Sequence, residues 1–251
     1  MNIFDSWICK QYIAHRGFYD ENNPENSLPA FERAIENNFA IELDVRGLAD
    51  GTVVVFRDST LGRMTGADGF IANYTYEDIK PLTLLKTKEH IPTLEEALNF
   101  INGRTPVLIE IKNMGKVANI EQTVWNVLKK YKGEYAVQSF NPYSLEWFKI
   151  NAPHVTRGQT ASFYKGVKNV EFAKKFSLKR MLLNKKVSEP HFINYKVEDL
   201  PNRYVRKYKD LPLLCWVVRE DTFERAKKVA DNMIFEGFNP NNYTTKIIDE
   251  D

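Results

Sequence analysis

Glu42 and Asp44 stand two residues apart in Ile41-Glu42-Leu43-Asp44-Val45, and Glu110 and Lys112 stand two apart in Ile109-Glu110-Ile111-Lys112. In an extended strand, side chains two apart share a face, so each charged pair points one way and its apolar neighbours the other. Two carboxylates side by side in an apolar strand repel each other, and a hard divalent cation with oxygen ligands is the common way of neutralising them. Glu110 could complete such a site with Glu42 and Asp44, while Lys112 would offer a point charge to a nearby phosphate. Exposed acids on an edge strand and an ion pair within one strand are the plainer alternatives.

His15 follows a short apolar run in Ile13-Ala14-His15-Arg16-Gly17. That places an imidazole and a guanidinium at the C-terminal end of a strand, where α/β barrels keep their active sites. Gly17 would let the backbone approach a ligand closely.

These residues need strands to carry them, and the chain alternates β-branched runs with amphipathic segments, the order of parallel strands joined by crossover helices. Candidate strands are Tyr12 to Ala14, Ala40 to Val45, Val53 to Phe56, Val107 to Ile111, Tyr135 to Ser139, Val155 to Gln159, Met181 to Leu183 and Leu213 to Val218. Asn232 to Phe235 is a further candidate, so one of these runs is accessory, and the spacing leaves open which. The expected fold class is α/β, a single (β/α)8 TIM barrel. Thr93-Leu94-Glu95-Glu96 reads as a capping box, and Leu94, Ala97, Leu98 and Ile101 then keep helical time. Ile120, Val124, Val127, Leu128 and Tyr131 repeat that pattern, as do Phe223, Ala226 and Ala230. Asp58 to His90 fits neither period and exceeds a normal barrel connection, which marks it as an inserted segment.

The chain has 251 residues, 43% of them hydrophobic, enough for one large core, so residues 1–251 read as one domain. A net charge of +2 from 35 basic and 33 acidic residues gives no field that would attract a nucleic acid. Basic clusters such as Tyr204 to Lys209 read as solvated helix faces. Cys9 and Cys215 are too far apart in sequence for a metal-ligand spacing and read as reduced thiols. Met1 to Gln11 lacks the basic and apolar blocks of a leader, and no apolar run approaches a membrane span, so a cytoplasmic location without stable membrane insertion is the default expectation.

The order of the motifs resembles the glycerophosphodiester phosphodiesterase family. His15-Arg16-Gly17 is similar to the family's opening motif and is followed by Pro24-Glu25-Asn26-Ser27, Glu42-x-Asp44 and Asp58-Ser59-Thr60-Leu61-x-Arg63-x-Thr65-Gly66. Ile91 to Leu98 and Glu110-x-Lys112 continue the series. The resemblance implies a barrel with one divalent metal, magnesium or calcium, on Glu42, Asp44 and Glu110, and with Arg16 and Lys112 near the phosphate. It implies small-molecule glycerophosphodiester substrates cleaved to glycerol 3-phosphate and an alcohol, with His15 moving a proton and Trp216 as an aromatic wall. Asp58 to His90 would then be the family's inserted cap.

Two departures stand out. The family's second catalytic histidine precedes the motif's aspartate, and here that position holds Arg57, beside Asp58. Arginine stays protonated and cannot cycle a proton at neutral pH, although it can stabilise negative charge. A slowed enzyme with Arg57 in the catalytic position is one expectation, and a phosphodiester-binding relative without turnover is the alternative. His90, His154 and His191 are the histidines that could stand in. The family's closing Thr-Asp pair is replaced by Phe235-Glu236, and no role is carried over to that rim.

Overall fold

Eight parallel strands close into a barrel in a computed structural model that describes residues 2–113, 116–165 and 172–243. The strands are β1 (Ile13–Ala14), β2 (Ala40–Gly47), β3 (Val53–Val55), β4 (Val107–Ile111), β5 (Tyr135–Ser139), β6 (Arg157–Ala161), β7 (Phe192–Lys196), β8 (Leu213–Val218) and β9 (Asn232–Phe235). β1 pairs in parallel with both β2 and β9, which closes the cylinder, whereas β3 runs antiparallel to the far end of β2 and is the accessory strand. The fold is a (β/α)8 barrel.

One expected strand is wrong. Met181 to Leu183 forms a turn, and the seventh strand is Phe192–Lys196. The inward position of that strand carries Asn194, buried and polar, which interrupts the apolar run that normally marks a strand. Met181 is buried for a different reason: it joins the core between barrel and helices, where Tyr208 donates a hydrogen bond to its carbonyl. β6 also begins two residues later than its apolar start at Val155 suggested.

Alternation sorts the strand residues into two environments. Outward residues such as Ile41, Leu43, Val137, Ile193 and Cys215 join the helices in the main core. Inward residues Ile13, Ala40, Leu108, Phe192, Leu214 and Ile234 fill the bottom of the barrel with Ile8. One rung higher the interior turns polar, with Glu42, Glu110, Gln138, Thr160 and Asn194 all buried. An apolar floor beneath a polar layer aims that layer at the C-terminal mouth.

Helices Leu28–Glu36, Leu94–Ile101, Asn119–Leu128, Pro142–Asn151, Phe172–Lys179 and Phe223–Val229 pack outside. The Thr93 hydroxyl accepts the Glu96 N–H while Glu96 accepts the Thr93 N–H, completing the expected capping box. Gly17 has φ +79°, and a Cβ there would lie 2.9 Å from the backbone of Ala30, so the glycine is required by close approach to helix Leu28–Glu36 and not by a ligand.

Residues 58–90 form short turns of helix around a separate apolar cluster in which Leu61, Met64, Ile71, Ile79 and Leu84 pack on Val54. Tyr74 and Tyr76 pack into this cluster. Among the described residues no helix is long and apolar enough to cross a membrane.

Candidate active site

Strand periodicity does what the spacings predicted: Glu42 and Asp44 on β2 and Glu110 on β4 offer oxygens that all lie within 4.8 Å of one another. Asp44 stands opposite Glu110 in the β2–β4 register. All three are buried, at 5% exposure or less. Lys112 lies 2.8 Å from Asp44 Oδ1 and donates to Glu110, so its ammonium bridges two of the acids. Burial would lower the Lys112 pKa, but Asp44, Glu110 and Glu42 together raise it above its ordinary value.

Glu42 has no such cation of its own. Burial, reinforced by the charges of Asp44 and Glu110, raises its carboxyl well above the ordinary range. Burial acts on Asp44 in the same direction, yet Lys112 and Arg16 outweigh it and hold that carboxyl low. Three buried carboxylates, one of them without a cation of its own, are the oxygen donor set a hard divalent cation fits.

Arg16 sits in the left-handed region at φ 57°, a conformation of some strain for a residue with a Cβ. That turn directs its backbone N–H to Glu42 Oε2 at 3.0 Å and its guanidinium to Glu25 at 2.9 Å, with Nε 3.2 Å from Asp44. Glu25 also accepts two hydrogen bonds from Arg63, and Arg63 donates to Asp58 at 2.5 Å. Arg57 donates to the other oxygen of Asp58 at 2.9 Å. Asp44, Arg16, Glu25, Arg63, Asp58 and Arg57 therefore form one alternating chain of charges from the barrel floor to the inserted segment.

His15 is buried, and its Nδ1 lies 2.6 Å from Glu236 Oε2. Burial lowers the imidazole pKa, while Glu236 opposes that shift. Glu236 also accepts from Tyr19 and Arg219. With Nδ1–H donated to the carboxylate, Nε2 is left as an unprotonated base nitrogen. Trp216 is half-buried and its ring centroid lies 5.4 Å from that of Phe140. Phe140 in turn lies 6.0 Å from Lys112 Nζ, which puts the aromatic pair beside the acid cluster.

Sequence reasoning missed four participants. Glu236 directly follows β9, at a strand end where barrel chemistry is expected, but only barrel closure brings it to His15. Glu25 and Asn26 lay in a quoted motif without a role, and Asn26 donates to Asp44 Oδ2 and accepts the Asp44 N–H. Gln138 donates to Glu110 at 3.0 Å and accepts from Asn194 at 2.9 Å, fixing the Glu110 carboxylate from the adjacent strand. The other histidines are elsewhere: His154 packs edge-on to Trp125, His191 accepts the Arg157 N–H, and His90 pairs with Thr83 in the inserted segment.

Known proteins resemble this chain in sequence and in fold. The model of the Glycerophosphoryl diester phosphodiesterase family matches residues 15–241. A glycerophosphodiester phosphodiesterase of Caldanaerobacter subterraneus subsp. tengcongensis is 40% identical over 157 residues, 58% of this chain and 64% of the relative. One from Bacillus altitudinis is 35% identical over 57% of this chain and 63% of the relative, so the matches span a little under two thirds of these proteins. An Oleispira antarctica phosphodiesterase in complex with its product sn-glycerol-3-phosphate superposes with a TM-score of 0.78, at 22% identity, over 93% of this chain and 95% of the other. The family match begins at His15, passes through the acid cluster on β2 and β4, and continues beyond Glu236, so the chain belongs to the glycerophosphoryl diester phosphodiesterase family.

Proposed function

We propose that the protein hydrolyses glycerophosphodiesters to glycerol 3-phosphate and an alcohol, using one divalent metal, magnesium or calcium, on Glu42, Asp44 and Glu110. The observation that carries this reading is the convergence of three buried carboxylates beside an imidazole whose Nδ1 is engaged by Glu236. The product held by the Oleispira antarctica protein and the names of the curated relatives support the same substrate class. Residues 1–251 act as one domain in the cytoplasm, with 58–90 as a cap over the mouth.

The bound metal supplies positive charge to the phosphate oxygens. His15, through Nε2, takes the proton of the attacking hydroxyl as its oxygen bonds to phosphorus and the bond to the departing alcohol breaks. Arg16 and Lys112 neutralise the phosphate charge from their remaining N–H groups, and Trp216 with Phe140 walls the glycerol. Arg57 cannot give up a proton, so the departing alkoxide is charge-stabilised by the guanidinium and protonated by solvent. Loss of one proton carrier costs roughly 10²- to 10⁴-fold in rate, which makes this a slow enzyme.

The test is release of glycerol 3-phosphate by purified protein with magnesium, calcium or manganese. Turnover should stop on chelation and in Glu42→Ala. A second readout does not depend on activity: metal at a hundredfold excess over its Kd should stabilise the wild type by about 2.7 kcal/mol and leave Glu42→Ala unmoved. A rate that metals never raise above the metal-free rate ends the hydrolase reading. Ligand-dependent stabilisation without turnover would favour a phosphodiester-binding protein instead.

A further inference from the structure

The period of two that places Glu42 and Asp44 on one face of β2 also places Arg46 there, one rung nearer the mouth. On the neighbouring strand the same step leads from Glu110 to Lys112. A layer of carboxylates is thus topped by a layer of cations. Arg46 Nε donates to the carbonyl of Arg57 at 2.8 Å, which brings the two guanidinium-bearing segments together. Among the described residues Arg46 makes no ion pair, and Arg57 has only Asp58, a carboxylate it shares with Arg63.

Arg46, Arg57 and Lys112 line an open recess of about 400 Å³ with Asp58, Ser59 and Thr60. Its cations outnumber its single acid, and that acid is already committed to two arginines. Lys112 is held by Asp44 and Glu110 and Arg57 by Asp58, so Arg46 is the cation without an ion pair among the described residues, and its half-buried charge gains most when an oxyanion enters. Guanidinium groups match the oxygens of a phosphate, and the Ser59 and Thr60 hydroxyls add neutral donors.

The recess lies over the mouth-side ends of β2 and β4 and the turn after β3, one rung above the acid cluster, whereas His15 stands at the end of β1. In an in-line displacement the attacking and departing oxygens lie on opposite sides of phosphorus. With His15 serving the attacking oxygen, the departing alcohol leaves toward the recess. The aromatic wall of Phe140 and Trp216 belongs to the β5 and β8 side and carries no charge of its own.

Resting on the phosphodiesterase reading above, we propose that the diester this site prefers has a departing alcohol that carries a second phosphate, received by Arg46 and Arg57. The two guanidinium groups supply paired donors to the second phosphate, and the departing alkoxide is stabilised by the same cations. The selection also gives Arg57 a function where a proton carrier is missing.

The experiment compares kcat/KM for glycerophosphocholine, glycerophosphoglycerol and glycerophosphoglycerol bearing a terminal phosphate, in wild type, Arg46→Gln and Arg46→Lys. The wild type should favour the phosphate-bearing diester over glycerophosphoglycerol at least about tenfold, and Arg46→Gln should cut that ratio to about threefold or less. Arg46→Lys should keep most of it, and the preference should shrink as salt rises. A wild-type ratio near one, a preference for the choline ester, or an Arg46→Gln loss equal for all three diesters overturns the proposal. If no diester is turned over, the hydrolase reading fails separately, and calorimetric binding of the same diesters still decides the anion preference. Tighter binding of the phosphate-bearing diester that Arg46→Gln abolishes supports it, and equal binding overturns it.

Discussion

Glu236, near the C-terminal end of the barrel, lies 2.6 Å from Nδ1 of His15 near its beginning. Closure of β9 onto β1 creates this pair, and the carboxylate selects the tautomer in which Nε2 is the free base. Replacing Glu236 with Gln removes the charge and lets the amide present either a donor or an acceptor to the ring. We expect kcat to fall roughly 10- to 10²-fold in Glu236→Gln, within the range of general base contributions, with KM little changed and part of the rate restored in Glu236→Asp. A rise in KM at constant kcat would make the pair a matter of substrate binding and not of proton transfer.

The same contact has a stability signature. Burial alone would raise the Glu236 carboxyl, but the hydrogen bond to His15, the charges of His15 and Arg219, and Tyr19 bring it down to about 2, from an ordinary 4.5. A folded-state value below the unfolded one contributes stability that is complete above about pH 4.5 and lost as pH falls toward 2. After allowance for solvent screening, Glu236→Gln should cost about 1–2 kcal/mol at pH 6, and its urea midpoint should approach the wild type progressively as pH falls from 4.5 toward 2. A gap that stays constant or widens on acidification would contradict the assignment.

Local periodicity made the floor of the site legible and long-range closure hid its supports. The step of two in β2 and β4 put Glu42, Asp44 and Glu110 on inward faces whatever the rest of the chain did, and they converge. The Thr93 and Glu96 capping box was equally local. By contrast, β7 escaped notice because Asn194 must be polar to reach Gln138 across the barrel, so the demand of the interior erased the apolar signature of the strand. Met181 to Leu183 imitated that signature while serving the outer core. Arg46 lay in phase with Asp44, but the apolar run stops at Val45 and the strand was read as ending there. Glu25 reaches Arg63 across the inserted segment, a pairing that no spacing encodes.

On the proposed mechanism Arg57 stands where a second proton carrier would act, and the Asp58 it pairs with is also held by Arg63. Asp58 therefore keeps its place when residue 57 changes, which makes Arg57→His a clean substitution. We expect kcat to rise about 10²- to 10⁴-fold on glycerophosphocholine, the factor one general acid or base group contributes. Single-turnover rates with metal present should show the gain in the chemical step. An unchanged rate would place the defect elsewhere in the site.

Glu25 stands between Arg16, which touches Asp44, and Arg63, which belongs to the inserted segment. It thus ties the segment over residues 58–90 to the acid layer of the barrel through charge. Glu25→Gln leaves two guanidinium groups facing each other with a single neutral acceptor. Breaking a fully buried pair costs about 3–5 kcal/mol, but the Arg63 side chain is 46% exposed and water screens the loss, so a cost of about 2 kcal/mol is expected. The segment should open before the barrel does, because its own apolar cluster is small and separate from the main core. Lys80, Lys86 and Lys88 are exposed within it and offer sites for trypsin. Limited proteolysis of Glu25→Gln should therefore cut at these lysines at a rate well above wild type while the barrel fragments remain intact. Cleavage spread evenly along the chain would mean that Glu25 supports the whole fold and has no special hold on the segment.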